Sequence, residues 1–140
     1  MADRAYRRVA LLSVHPRFAR AILDGSKKVE LRRVSFSSDV RFVLIYATSP
    51  VQAIVGWFEV SEIVRRKPST LWRRYRSIAG VSAAEFRKYY EGSEQGAAIL
   101  VGNVGALSSP ARLSAVRVSR PPQNFCYVRG KANRLIAEAS

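Results

Sequence analysis

Lys27, Glu30 and Arg32 are the residues of this chain whose types and spacing could do chemistry. They lie in the run Gly25-Ser26-Lys27-Lys28-Val29-Glu30-Leu31-Arg32-Arg33. An amine and a carboxylate held close together can carry out general acid–base work once burial moves their pKa values towards neutrality. The same cations can receive a phosphate or a carbonyl oxygen. On a strand, Lys28, Glu30 and Arg32 share one face while Val29 and Leu31 point to the core. Lys27 falls on the other face unless it sits in the preceding turn, from which it can swing towards Glu30. A solvated edge strand with a rim ion pair has the same spacing, and such a pair contributes little.

The flanking elements are readable. Val9 to Val14 reads as a strand. Pro16 to Asp24 reads as a short helix with Phe18, Ala19, Ile22 and Leu23 on one stripe, ended by Gly25. Phe42 to Ala47 is a compact apolar strand broken by Thr48-Ser49-Pro50. Ala53 to Ile63 is apolar on both faces, and Gly56 within it marks a bulge or a close backbone approach. Arg65 to Gly92 reads as helical, with a capping box at Ser82 and Glu85 and a core stripe of Phe86, Tyr89 and Tyr90. Gln95 to Val101 and Ala111 to Val118 read as closing strands, and Pro121-Pro122 ends the regular structure. Residues 1–8 form a basic arm, 9–128 one domain, and 129–140 a basic tail with helical potential.

The chain has 140 residues, of which 48% are apolar, enough for a core of its own. Twenty-four Lys and Arg face ten Asp and Glu, a formal charge of +14. Such an excess favours polyanions, nucleic acid first. Arg outnumbers Lys, which suits bidentate phosphate contacts and stacking on bases; an Arg-rich proteome would give the same bias but not the shortage of acids. No apolar run is long enough to span a membrane, and none reads as a signal peptide, so a cytoplasmic location is expected. The lone Cys126 and lone His15 cannot build a zinc site or an internal disulfide. Neither metal, cofactor nor obligatory protein partner is expected. A second basic region comprises Arg65, Arg66 and Lys67, then Arg73, Arg74 and Arg76, then Arg87 and Lys88. It suggests a phosphate-tracking stripe, since phosphate contacts position a strand while base contacts specify it.

Gly25, Lys27, Glu30 and Arg32 resemble the G-x-K-x-x-E-x-R signature of ASCH domains, members of the PUA-like superfamily. Leu12-Ser13-Val14-His15-Pro16, Ile45-Tyr46-Ala47-Thr48-Ser49-Pro50 and Pro121-Pro122-Gln123-Asn124-Phe125 also resemble stretches of single-domain bacterial and phage members. The likeness covers roughly residues 9 to 128. It implies an α+β fold, a PUA-like small mixed β-barrel with flanking helices and a cleft beside the first helix.

In that family the signature residues line the cleft, and neighbouring strand ends contribute. By position, these would be Ser13 and His15 from the first strand end, and Tyr46, Thr48 and Ser49 from the third. Gln123, Asn124 and Phe125 could close over it, although Phe125 also reads as core. The assortment suits one unpaired or flipped nucleotide of RNA or DNA, including a modified one, better than a duplex. Two enzymatic alternatives follow from the resemblance. Some members cleave single-stranded RNA, a role open to Lys27 and Glu30 with His15 and Arg32. Others hydrolyse the amide of an acetylated nucleoside, but those carry Thr where this chain has Glu30.

Overall fold

The computed structural model describes residues 8–129 and 131–138. Of the expected N-terminal arm, all but Arg8 lies outside the described residues. The chain runs β1 (Val9–Val14), α1 (Pro16–Asp24), β2 (Val29–Arg32), β3 (Phe42–Ala47), β4 (Ala53–Arg66), α2 (Pro68–Tyr75), α3 (Ala83–Tyr90), β5 (Gly96–Ala111), a 3₁₀ turn (Leu113–Val116), β6 (Phe125–Val128) and α4 (Ala132–Glu138). The strands form one sheet in the order β2-β5-β4-β3-β1-β6. The β1–β3 pair is parallel and all other pairs are antiparallel. This is the expected α+β, PUA-like architecture.

Side-chain alternation on these strands builds separate cores. Ala10, Leu12 and Val14 of β1 and Val43, Ile45 and Ala47 of β3 face Ala19 and Ile22 of α1, enclosing the interior of the pseudo-barrel. Val9 and Leu11 of β1, with Leu44 and Tyr46 of β3, point the opposite way. They pack under the 3₁₀ turn and α4 through Val116, Leu135 and Ile136. A third core places Val29 and Leu31 of β2 under Leu71 of α2 and Phe86 and Tyr90 of α3.

Pro16 at the start of α1 has a preset φ and no N–H to leave unpaired. Gly25 ends the helix at φ 88°, where any other L-residue would be strained. The resulting turn aims Lys27 inward. Gly56 marks a close approach: a Cβ there would lie 2.6 Å from the Gly105 carbonyl oxygen, beside register shifts in both neighbouring pairings of β4. Ser82 and Glu85 form the expected reciprocal capping box.

Three expectations need correction. Arg65 and Arg66 belong to β4, paired with Ala97 and Gly96, and helix begins only at Pro68. The closing strand is one long β5 reaching Ala111, while residues 113–116 form a 3₁₀ turn. Regular structure does not end at Pro121-Pro122, because β6 pairs with β1. The helical potential of the C-terminal tail is realised in α4, where Ala132, Leu135 and Ile136 are buried.

Candidate functional site

The β2 strand is buried on both sides, so the solvated-edge description fails. Val29 and Leu31 face the outer core under α2 and α3, and Glu30 and Arg32 turn into the end of the barrel beside α1. Lys27 is 2% exposed and Glu30 5%. The Lys27 Nζ lies 3.4 Å from Glu30 Oε1, donates to the Ala79 carbonyl, and sits 5.1 Å from the centre of the Phe18 ring. Burial pushes the Lys27 ammonium below its ordinary pKa, and the Glu30 carboxylate opposes that shift.

Arg32 holds the other side of the carboxylate, with Nε 2.8 Å and a terminal nitrogen 2.7 Å from Glu30 Oε2. Its remaining donors leave the strand: one nitrogen bonds the Ser13 carbonyl at 2.8 Å and the other bonds Asn124 Oδ1 at 2.8 Å. Arg32 thus joins edge strand β2 to β1 and to the start of β6, where no backbone ladder connects them. Asn124 reinforces the seam, donating from its amide to the Val34 carbonyl and accepting the Ser13 N–H at its own carbonyl.

Above this floor opens a cleft of about 260 Å³ between α1 and α3. His15, Phe18, Lys27, Glu30, Leu31, Arg32, Val81, Glu85, Phe86, Tyr89 and Tyr90 line it. Arg17 of α1 reaches Glu85 of α3, tying the two helices together at the surface. Tyr90 is anchored by its hydroxyl to the Arg32 carbonyl at 2.8 Å, and burial raises its phenol well above the ordinary value. Tyr89 is 38% exposed on the wall, with the Arg33 guanidinium 5.0 Å from its ring centre.

Of the residues expected in the cleft, His15, Lys27, Glu30 and Arg32 line it. His15 also accepts the Arg17 N–H at Nδ1, capping α1. Tyr46 does not line it. Its ring is buried in the core under α4, because β3 sends Ile45 and Ala47, not Tyr46, into the barrel. Ser13, paired with Tyr46 in register, donates its hydroxyl to the Pro122 carbonyl at 2.6 Å. Thr48 and Ser49 form a turn anchored by Thr48 N–H on the Val14 carbonyl. Gln123 is exposed outside the cleft, and Phe125 packs edge-on against Phe36 with ring centres 5.5 Å apart.

Within the proposed stripe, Arg65 is committed to the Phe36 carbonyl and Arg66 to that of Arg65. Lys67, Arg73, Arg74 and Arg76 are exposed and carry no carboxylate partner among the described residues. Phe18, Glu85, Phe86 and Tyr89 line the cleft as well. Their helical spacing is that of core stripes and caps, and only the docking of α3 opposite α1 turns them towards one space.

Residues 12–104 match the ASCH domain family model. Over 134 residues the chain is 34% identical to a Zymomonas mobilis protein named ASCH domain-containing ribonuclease, covering 92% of this chain and 90% of that one. The crystal structure of a serine-to-alanine variant of the Zymomonas mobilis ASCH protein matches with a TM-score of 0.84 at 32% identity, over 96% of this chain and 98% of that one. A tyrosine-to-phenylalanine variant matches at 0.82 and 32% identity, over 96% and 100%. With its signature residues gathered at the end of a PUA-like barrel, this chain belongs to the ASCH domain family.

Proposed function

We propose that the chain binds RNA, taking one unpaired or flipped nucleotide into the cleft between α1 and α3 while Arg side chains outside it track the phosphates. The observation that carries this reading is the cleft itself, small, walled by aromatic rings and floored by a buried Lys27–Glu30–Arg32 network. Its volume lies just below the usual range for drug-sized ligands, a scale that suits a single base. Phe18, Phe86 and Tyr89 offer faces or edges for stacking, and the chain's charge of +14 draws the polyanion to it.

Tyr89→Ala tests the cleft without opening the core, because the ring is substantially exposed. Loss of one stacking partner is expected to weaken binding of labelled single-stranded RNA roughly tenfold with little change in melting temperature. Unaltered affinity would remove the cleft from the interface. The stripe has its own readout: Arg73→Ala/Arg74→Ala/Arg76→Ala should make the plot of log affinity against log salt shallower by about 2. An unchanged slope would place phosphates elsewhere.

A ribonuclease is the second reading, favoured by the name of the Zymomonas mobilis relative. Attack by a 2′-hydroxyl needs a base, an acid and charge stabilisation at the phosphate. Lys27, whose burial favours the neutral amine, and His15 at the rim would supply the proton transfers. Glu30 is less free for such work, because both its oxygens are engaged by cations. Fragments formed by wild type and absent with Lys27→Ala would establish cleavage; intact strands with both would leave binding alone.

A further inference from the structure

Charge in this chain is divided unevenly. From Gln95 to Ala137 no Asp or Glu occurs, yet the segment holds Arg112, Arg117, Arg120, Arg129, Lys131 and Arg134. All are exposed, and their side chains make no hydrogen bond or ion pair among the described residues. Elsewhere part of the basic surface is neutralised locally. The hollow lined by Asp39, Arg41 and Glu59 has Arg41 on Glu59 at 2.8 Å and Arg8 on Asp39 at 3.5 Å.

Arg117 and Lys131 instead meet across an open groove of about 520 Å³, with Ser114 and Ala115 completing its walls. The backbone fixes their positions. Arg117 stands at φ 61°, a left-handed conformation uncommon outside glycine, and its N–H bonds the Ser114 carbonyl at 3.1 Å. Lys131 N–H bonds the Ala115 carbonyl at 3.2 Å, pinning the start of α4 to the 3₁₀ turn. The 3₁₀ turn and α4 cover the face of β1 and β3 opposite α1. Uncompensated like charges gathered this closely repel one another, and a polyanion relieves that repulsion.

We propose that this groove is a second phosphate-binding site, independent of base identity, which holds the backbone of a nucleic-acid strand on the barrel face opposite α1. Arg117 and Lys131 contact successive phosphates, Ser114 donates its hydroxyl, and Arg134, one helical turn beyond Lys131, extends the track. A strand with one nucleotide in the cleft must then be long enough to pass round the barrel before it gains these contacts.

The test compares wild type with Arg117→Gln/Lys131→Gln/Arg134→Gln on single-stranded RNA of increasing length. A trinucleotide that fills only the cleft should bind both proteins equally. For long strands the salt slope of the variant should be shallower by about 2, at about 0.7 per lost phosphate contact. An equal slope for both proteins would overturn the proposal. Chemical footprinting on wild type gives a reading that does not depend on the variant folding: long RNA should shield Lys131 from amine modification, and the trinucleotide should not. Lys131 equally reactive with and without long RNA would also overturn it.

Discussion

Glu30→Gln is expected to lower the free energy of unfolding by about 3 kcal/mol, the scale for breaking a buried ion pair by removing one partner. The amide keeps the shape but leaves the Lys27 ammonium and the Arg32 guanidinium facing each other in a nearly closed space. Part of the loss is relieved because Lys27 can shed its proton, towards which burial already drives it. Lys27→Met/Glu30→Gln should therefore lose less than the sum of the single variants, a coupling that urea denaturation resolves directly. Additive losses would mean that the contact contributes nothing of its own.

The pH dependence follows from the same burial. The folded pKa of Lys27 lies below its ordinary 10.5. Between those two values the unfolded chain binds more protons at this position, so stability rises with pH across the window. Below the folded value the full cost of burying a charge is present. Wild type should thus gain on Lys27→Met as pH climbs towards 10.5, and a constant difference would contradict this account.

Arg32→Ala is expected to cost about 3–4 kcal/mol, with a regional signature. Its loss removes the Arg32 donors from Glu30 Oε2, the Ser13 carbonyl and Asn124 Oδ1 together. Hydrogen exchange should accelerate in β6 and at Gln123 and Asn124, while the long β4–β5 ladder stays protected. Arg32→Lys should not rescue it, since an ammonium cannot reach along the divergent directions that a planar guanidinium spans. Asn124→Ala, removing one arm of the same seam, should cost about 1 kcal/mol. Uniform acceleration of exchange would mean that the seam is not a separate unit.

The first half of this fold is written locally. Val9–Val14, Pro16–Asp24 and Phe42–Ala47 are apolar or amphipathic runs bounded by Pro, Gly or a polar turn, and the elements begin and end where those signals fall. The second half depends on partners distant in sequence. Gly102, Gly105 and Pro110 make β5 look interrupted, yet pairing with β4 carries it to Ala111. Phe125–Val128 follows two prolines and is a strand because β1 lies beside it. At the site, the approach of Lys27 to Glu30 was legible from a turn placed before a short strand. Strand parity decided the rest. Tyr46 sits at the expected height but points out of the barrel, and Arg32, read as a cation that could receive a phosphate or a carbonyl oxygen, is committed to the seam.

That seam also sets an order of events during synthesis. The Asn124 partner of Arg32 emerges from the ribosome 92 residues after it, an interval of roughly 5–20 seconds at ordinary translation rates. Through that time the nascent chain carries the whole Gly25-to-Arg32 signature but cannot close its barrel or complete the network under the cleft. A strongly cationic polypeptide thus grows beside ribosomal RNA with the network under its cleft unfinished. Products cut short before Asn124 would retain most of the positive charge but lack the residue that completes the seam.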